Sequence, residues 1–335
     1  MNSNTFIVLL VLGFFLIFFI LTSTLITILA TSNRPLTNNT IHLLNQNPGK
    51  ERKKLLAEND SEKRPVGQNV SQCSTKSHLP RILNGLEATP NMYPWIVSLR
   101  LLKNQNLYDH FCAGVLVSNR VVITAAHCII NKKPSEILAV FGLYRRTDLS
   151  SIVMSNSYQI SKVIIHENST ENDIAILVVS KSVIFKENIK PICLSSGNRV
   201  DEFLERKARV IGWGLRVLNQ PSEVLQQTQL TLLNNSDSRC MIHIKKTTNK
   251  KLLCALQIED YKNSTDQRRM STVCSGDSGG PLFVYKDEKW LLLGIVSFVQ
   301  TYMSTDNREH LCDPKMASFY TNVGFYSNWI NKFMI

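Results

Sequence analysis

The sequence has no C-x-x-C pair among its eight cysteines and no basic motif interleaved with aromatic residues. The first absence argues against a zinc site built on paired cysteines, and the second argues against a nucleic-acid-binding domain. A formal charge of +12 is spread over both halves of the chain, so nucleic acid is not expected as a partner. With 44% hydrophobic and 19% charged residues, the chain has the composition of a protein that buries a core.

The cysteines and the glycosylation sequons indicate an extracellular protein. An even number of cysteines favours an oxidising compartment, where they would be paired. Asn-x-Ser/Thr sequons, the acceptors of N-linked glycans, agree with passage through the secretory pathway. They lie at Asn38, Asn59, Asn69, Asn168, Asn234 and Asn263.

The first 32 residues are predicted to be a signal-anchor or a signal peptide. Residues 6–30 are apolar or hydroxyl-bearing, and no Lys or Arg precedes them. A spanning helix needs about 20 residues and a signal-peptide core about 7–15, so the length favours an uncleaved anchor. The small residues Ala30-Thr31-Ser32 resemble a cleavage site, which favours a secreted protein instead. In both cases the main part of the chain lies outside the cell.

Residues 33–81 are predicted to be a stem and pro-segment. They are polar, contain the charged stretch Lys50–Lys54 and are almost free of aromatic residues, so we expect little fixed structure there. The segment ends in Pro80-Arg81-Ile82, which by itself indicates only a loop before a strand.

From Tyr93 onwards, short β-prone runs alternate with turn residues, which is typical of sandwiches and barrels. The runs form two clusters, so we expect two β-barrels. The first cluster comprises Trp95–Leu102, Ala113–Val117, Val121–Thr124, Leu138–Phe141, Tyr158–Ile165 and Ile174–Val179. The second comprises Ala208–Gly212, Val224–Leu232, Pro281–Val284, Trp290–Phe298 and Phe319–Val323. Tyr326, Trp329, Ile330 and Phe333 follow helical spacing and predict a C-terminal amphipathic helix.

Three polar residues have surroundings that suit nucleophilic catalysis. His127 follows the strand at Val121–Thr124, and Asp173 opens an apolar strand where its burial requires a partner. Ser278 stands between an aspartate and paired glycines. Glycines adopt backbone conformations that residues with a Cβ avoid, so the amides of such a turn can point towards one site. Each feature alone has a structural explanation. Together they are the parts of a nucleophilic triad.

Over residues 82–335, and back to Cys73, the chain resembles the trypsin-like (chymotrypsin-fold) serine proteases. The resemblance rests on Arg81-Ile82, Pro94-Trp95, Thr124–Cys128, Asp173-Ile174-Ala175, Gly212-Trp213-Gly214, Gly276–Pro281 and Tyr320–Val323. The order His, Asp, Ser along the chain is also that of the family. It implies an all-β fold of two six-stranded antiparallel β-barrels with a C-terminal α-helix, and a protease domain at 82–335.

The resemblance also implies a role for each site residue. Ser278 would attack the scissile carbonyl, His127 would accept and return the proton, and Asp173 would orient the imidazole. The amides of Gly276 and Ser278 would form the oxyanion hole. Ser297 matches the serine that supports the buried aspartate.

Activation is implied by the same resemblance. A cut after Arg81 would free the amine of Ile82, which would turn inward and pair with Asp277. Such a zymogen needs an activating protease of basic specificity.

Four disulfides follow from the resemblance: Cys112–Cys128, Cys240–Cys254 and Cys274–Cys312 within the domain, and Cys73–Cys193 between pro-segment and domain. The last would keep the cut domain tied to its N-terminal segment.

The specificity pocket departs from the tryptic pattern. Thr272, followed by Val273, stands where tryptic members have the aspartate that pairs with substrate Arg or Lys. Without it a long cation would be buried unpaired. Other expected pocket residues are Ser297, Phe298, Val299 and Ser318. Valine and serine on the walls should shorten the pocket, so we expect cleavage after small or medium apolar residues.

Tryptic specificity remains open as an alternative. The long segment Gln300–Leu311 carries Asp306 and Glu309, either of which would suit a basic substrate if it reached the pocket. No cofactor or metal is expected, because acidic calcium ligands are missing around Leu143–Ser155. The expected partners are protein or peptide substrates and protein protease inhibitors. Rival interpretations are a catalytically weak, protease-like binding module and a stem-tethered adhesion protein.

Overall fold

Strands dominate the part of the chain that the computed structural model describes. The described residues are 73, 86–104, 107–148, 150, 154–195, 197, 200–216, 220–241, 243–244, 250–258, 272–303 and 310–334. Contacts divide the chain into Met1–Pro65 and Val66–Ile335, and every described residue belongs to the second unit. Several predicted features lie outside the described residues: the N-terminal apolar helix, most of the stem, Arg81, Ile82, and the sequons at Asn38, Asn59, Asn69 and Asn263.

The described residues contain sixteen strands. In chain order they are β1 Leu86–Glu87, β2 Ile96–Asn104, β3 Leu107–Leu116, β4 Val121–Thr124, β5 Ile137–Phe141, β6 Ser157–Ile165, β7 Ala175–Val179, β8 Cys193–Leu194, β9 Lys207–Gly212, β10 Gln226–Leu233, β11 Leu252–Leu256, β12 Pro281–Lys286, β13 Lys289–Val299, β14 Thr301–Met303, β15 His310–Cys312 and β16 Ser318–Asn322.

The first barrel closes in the order β2-β3-β4-β7-β6-β5, and all neighbouring strands are antiparallel. Strands β4, β5 and β7 are buried along their whole length, in keeping with their continuous apolar sequences. At its start β6 alternates instead, with Tyr158 and Ile160 buried and Gln159 and Ser161 exposed, because it faces solvent on one side.

The second barrel consists of β9, β10, β11, β16, β13 and β12, and it closes because β9 pairs with both β10 and β12. Strand β1 is added beside β10, and β8 runs parallel to β13. Strands β14 and β15 form a separate two-stranded sheet. The predicted all-β architecture of two six-stranded antiparallel barrels is confirmed.

Helices are few and short among the described residues. They are α1 Ala126–Ile129, α2 Ser238–Met241 and α3 Ser327–Asn331, with 3-10 turns at Pro134–Glu136 and Val200–Phe203. The predicted C-terminal helix is present as α3, and its buried Ile330 packs into the core of the first barrel. None of these helices has the length and apolar character needed to cross a membrane.

All four implied disulfides are formed: Cys73–Cys193, Cys112–Cys128, Cys240–Cys254 and Cys274–Cys312. Several elements were not predicted from the sequence, among them β8, α1 and α2, and the two most informative cases lie in and beside the second barrel. Strand β11 completes the second barrel at a position where no strand was expected, and β14 and β15 lie in the long segment after Val299.

Candidate active site

The register of the first barrel brings His127 and Asp173 together. Thr124, the last residue of β4, lies opposite Ala175, the first residue of β7. The chain enters α1 just after β4, whereas Asp173 lies two residues before the start of β7, so the two side chains meet at one end of the barrel. His127 Nδ1 lies 2.8 Å from Asp173 Oδ2, and the His127 amide donates to Asp173 Oδ1 at 2.9 Å.

This contact determines the tautomer of His127. A carboxylate oxygen can only accept, so Nδ1 carries the proton that it donates to Asp173. In the neutral ring Nε2 is then unprotonated and can accept a proton. The His127 side chain is 44% exposed and that of Asp173 is 16% exposed, so the imidazole faces the solvent side of the pair.

Asp173 is held from the second barrel as well. Ser297 Oγ, on β13, donates to Asp173 Oδ2 at 2.5 Å, and Thr321 Oγ1, on β16, donates to the Asp173 carbonyl at 2.7 Å. Desolvation opposes ionisation, but hydrogen bonds from His127 and Ser297 and the charge of the imidazole outweigh it, so the pKa of Asp173 is lowered. The carboxylate is therefore ionised at neutral pH.

The turn that carries Ser278 is bonded to both barrels. The Ala113 amide, on β3, donates to the Ser278 carbonyl at 2.8 Å, and the Gly279 amide donates to the Val296 carbonyl, on β13, at 2.9 Å. Gly279 has a φ of +80°, and a Cβ there would collide with Thr124 Oγ1 and the Ala113 carbonyl. Only glycine suits this position, because it lacks a Cβ and readily adopts positive φ.

Two amides of this turn are available to a ligand. Among the hydrogen bonds of the described residues, the amides of Gly276 and Ser278 donate to no protein group. Nor does the Ser278 hydroxyl bond to His127, whose Nε2 lies 3.7 Å from Cys128 Sγ. The structure thus couples His127 to Asp173, and the Ser278 hydroxyl forms no hydrogen bond with another described residue.

Asp277 points away from the exposed turn into a site lined by backbone. The amides of Gly214 and Cys274 donate to its carboxyl at 2.7 and 2.9 Å. A Cβ at Gly212 or Gly214 would collide with this carboxyl, which explains the glycines on either side of Trp213. Desolvation raises the pKa of Asp277 to about 6 against the effect of the two amides, and no described Lys, Arg or His forms an ion pair with it.

His110, on β3, was missed by sequence reasoning. Its Nε2 donates to the Gly276 carbonyl at 3.0 Å, and its Nδ1 therefore accepts from Ser98 Oγ at 2.9 Å. Desolvation lowers the pKa of His110 to about 4, so the ring is neutral at physiological pH. Fixing the Gly276 carbonyl also orients the peptide group that it belongs to. No local motif surrounds His110, since its partner lies 166 residues away.

The predicted pocket residues gather around the end of β13. Val299 lies directly opposite Ser318 across the β13–β16 pair, so their side chains share a face and narrow the same space. Val299 packs against the apolar cluster that contains buried Val273. Ser318 Oγ bonds Tyr320 Oη at 2.8 Å and the Ala255 carbonyl at 3.2 Å. Of the remaining pocket residues, Thr272 is half-buried, Ser297 is buried and Phe298 is exposed.

Phe298 has an aromatic support that the sequence did not reveal. Its ring stacks on Phe319 with 4.6 Å between centroids, and His243 meets both rings edge-on at 5.7 and 5.2 Å. These contacts hold the Phe298 ring in one orientation beside the predicted pocket.

Other predicted features occupy the surface. Asn168 and Asn234, the two described sequons, are exposed. Asp306 and Glu309 lie outside the described residues. Cys112, His127 and Cys128 place potential ligand atoms within 4.8 Å of one another, but both sulfurs belong to the Cys112–Cys128 disulfide, so this cluster does not constitute a metal site.

Two antiparallel barrels, with a histidine–aspartate pair and a glycine-flanked serine turn bonded to both, define the chymotrypsin-fold class of proteins. Comparison with known proteins agrees. The model of the trypsin family matches residues 82–330. Human serine protease 41 is 31% identical over 290 residues, which cover 81% of this chain and 82% of that protein.

Two further relatives are longer than the matched region. The proclotting enzyme of Tachypleus tridentatus is 30% identical over 271 residues, covering 76% of this chain and 66% of the relative. The serine protease filzig of Drosophila melanogaster is 31% identical over 274 residues, covering 78% of this chain and 15% of the relative. The chain thus spans less than two thirds of either. It belongs to the trypsin family of serine proteases.

Proposed function

We propose that this chain is a serine endopeptidase that cleaves peptide bonds through an acyl-enzyme. Ser278 Oγ attacks the scissile carbonyl while His127 Nε2 accepts its proton, and the amides of Gly276 and Ser278 bind the resulting oxyanion. When the C–N bond breaks, the imidazolium returns the proton to the leaving amine. Water then attacks the acyl-enzyme with the same groups in the same roles.

The observation that supports this proposal most strongly is the bonding of His127. Its Nδ1–H is committed to an ionised, doubly supported Asp173, which leaves Nε2 as the basic atom. A second support is the pair of amides in the Ser278 turn, which have no hydrogen-bond partner among the described residues and could therefore donate to an oxyanion. Serine–histidine hydrogen bonds are often long in proteins without a ligand and shorten when substrate binds.

Labelling with a fluorophosphonate tests the reaction. The full chain, cleaved after Arg81, is expected to be labelled at Ser278, and a Ser278→Ala variant is not. Asp173→Asn should lower kcat about 10⁴-fold, the magnitude known for the same change in this protease family, because the imidazole then adopts the wrong tautomer. A folded, cleaved chain that resists labelling would favour the binding-module or adhesion interpretation.

Activation by a cut after Arg81 is part of the proposal. Asp277 is desolvated and accepts only backbone amides among the described residues. Its pKa is about 6, so at a pH above that value the ammonium of Ile82 would meet a carboxylate whose charge is not yet neutralised. A buried ion pair is strongly destabilised when one partner is missing. The uncut chain should therefore have a poorly formed oxyanion hole.

Preference for small or medium apolar residues is proposed from the pocket walls. Val299 and Ser318 face the same space from neighbouring strands, and Thr272 provides no charge for a substrate cation. A positional peptide library on the cleaved enzyme should show apolar residues before the scissile bond. Thr272→Asp should shift cleavage towards Arg and Lys, whereas dominant cleavage after basic residues by the unmodified enzyme would establish tryptic specificity.

The location of the enzyme is proposed to be extracellular, either secreted or anchored through residues 6–30. Four disulfides and the exposed sequons Asn168 and Asn234 support an oxidising compartment with N-linked glycans. Edman sequencing of the native protein distinguishes the two forms, because an N-terminus near Asn33 would show that the apolar segment is removed. Protein substrates, protein inhibitors and an activating protease are the proposed partners.

A further inference from the structure

The hairpin of β14 and β15 continues the strand that borders the active site. Strand β13 ends at Val299, opposite Ser318 of β16. After one intervening residue β14 begins at Thr301, opposite Cys312 of β15, and β15 leads into β16. Partner strands therefore lie on the same side of β13 and β14. Only Gln300 separates β13 from β14, whereas residues 313–317 separate β15 from β16. The two connections remain side by side, because the Asp313 amide donates to the Gln300 carbonyl at 3.0 Å.

The opposite edge of β14, and of residues 297–299 at the end of β13, is open in the described part of the structure. Strand β12 pairs with β13 only as far as Ile295, and β8 pairs only with Leu291 and Leu292. No described strand pairs with the far edge of 297–299 or with that of β14. An open edge presents alternate backbone N–H and C=O groups, to which an extended chain can add as a further strand.

The open edge carries exposed apolar side chains and is fixed to the catalytic residues. Phe298 is 37% exposed, Tyr302 48% and Met303 43%. At one end Ser297 bonds the catalytic aspartate. At the other, β15 is joined to the start of the Ser278 turn by the Cys274–Cys312 disulfide. The exposed apolar surface is thus continuous with the candidate active site.

We propose that β14 extends the substrate-binding edge, so that apolar residues roughly five to seven positions before the scissile bond pair with Thr301–Met303. This inference rests on the proposed endopeptidase function and deepens it. If the three substrate residues before the scissile bond pair with residues 297–299, antiparallel pairing places the next substrate residue opposite Gln300. The substrate residues before that one then lie opposite β14. The substrate class is a protein segment that is extended and apolar well ahead of the cleaved bond.

Peptides of two lengths test the proposal. Both have the same apolar residue before the scissile bond; the short one begins three residues before it and the long one seven, with leucine at the fifth and seventh positions. The full chain cleaved after Arg81 should turn over the long peptide with a kcat/KM at least about tenfold higher. Replacing both leucines by serine, or N-methylating the fifth amide, should abolish the gain.

Two variants locate the effect. The double variant Tyr302→Ser/Met303→Ser should lose the dependence on length, measured as the ratio of kcat/KM for the two peptides. Ile184→Ser, which removes a side chain that is 69% exposed between β7 and β8, serves as the matched control and should keep it. Equal turnover of both peptides by the unmodified enzyme, a gain that survives N-methylation, or a gain retained by the double variant would each overturn the proposal.

Failure of catalysis is distinguished by a binding measurement. The Ser278→Ala chain, cut after Arg81, should bind a fluorescent long peptide more tightly than the short one whether or not the native serine is reactive. If neither peptide is cleaved and no labelling occurs but the difference in binding persists, the endopeptidase function fails and the extended edge stands. If both peptides are cleaved and bound alike, only the extended edge fails.

Discussion

The imidazole of His110 connects the first barrel to the turn that carries Ser278. Its Nδ1 accepts from Ser98 on one side and its Nε2 donates to the Gly276 carbonyl on the other, and the bond from Ser98 requires the neutral ring. Its burial makes protonation costly, as the pKa of about 4 shows. One buried side chain thereby supports the backbone that is proposed to bind the oxyanion.

We predict that His110 makes folding stability depend on pH. Its pKa is about 4 in the folded protein and 6.5 without the fold. The unfolded chain therefore binds this proton first as the pH falls, and stability is lost between pH 6.5 and about 4. The full loss corresponds to roughly 3 kcal/mol. Urea unfolding of the uncut chain at pH 7 and pH 4 should show a smaller loss for His110→Gln.

A control separates this effect from other titrations. His243→Gln, a change at an exposed histidine that contacts Phe298 and Phe319, is measured beside His110→Gln as the comparison variant. Asp277 has a raised pKa of about 6 and acts with the opposite sign, because its folded form binds the proton first and loses stability as the pH rises. The His110 contribution is therefore read from the difference between variants, and equal slopes would contradict it.

At the scale of elements, the Cys112–Cys128 disulfide attaches the short helix α1 to the first barrel. Cys128 lies in α1 next to His127 and is joined to Cys112 on β3, so the bond ties the helix to the barrel wall. Both cysteines are buried. The disulfide thus restrains the backbone next to His127, while Asp173 bonds the His127 side chain.

We predict that removing this disulfide costs stability and turnover together. The bond closes a loop with a sequence separation of 16, for which the expected loss is about 3 kcal/mol. The variant Cys112→Ala/Cys128→Ala should show that loss in urea unfolding and a lowered kcat. Cys240→Ala/Cys254→Ala, with a separation of 14, should lose similar stability but retain kcat. Equal effects on kcat would mean that the Cys112–Cys128 bond does not position His127.

Some elements could be predicted from the sequence and others could not. Strands β4 and β7 were expected because their short apolar runs are rich in the β-branched residues that favour strands. Strand β11, with the sequence LLCAL, was missed because its apolar run has no β-branched residue and fits a helix or a strand equally well. Its pairing with β10 and β16 determines its conformation, and those partners are distant in sequence.

At the scale of the whole molecule, Asp277 is proposed to connect proteolysis to the formation of the site. Cleavage after Arg81 is predicted to stabilise the domain, because the new ammonium of Ile82 would pair with a desolvated carboxylate. An unpaired buried charge costs about 3–5 kcal/mol. The thermal unfolding temperature at pH 7.5 should rise on cleavage for the unmodified chain and not for Asp277→Asn. An equal rise in both would show that Asp277 does not receive the new N-terminus.

The Cys73–Cys193 bond gives a second prediction at this scale. It joins residues separated by 120 positions, with Cys73 on the N-terminal side of Arg81 and Cys193 on the C-terminal side. After cleavage, the N-terminal piece and the protease domain should migrate together in a non-reducing gel and separate on reduction. Cys73→Ser/Cys193→Ser should release the N-terminal piece without reduction; retention of the piece in this variant would point to non-covalent attachment.

The sequence by itself was enough to predict the fold class and to propose the triad residues, because these rest on local motifs whose residue types serve one chemistry in one order. The disulfide pairs followed from the resemblance to the trypsin-like proteases, and the structure confirms them. Tertiary structure decided what those residues contact. The bonds of Asp173 to Ser297 and of His110 to Gly276 join residues 124 and 166 positions apart. The open edge of β14 likewise depends on the strands that flank it. Such contacts form only when the two barrels close, so no local pattern of residues encodes them.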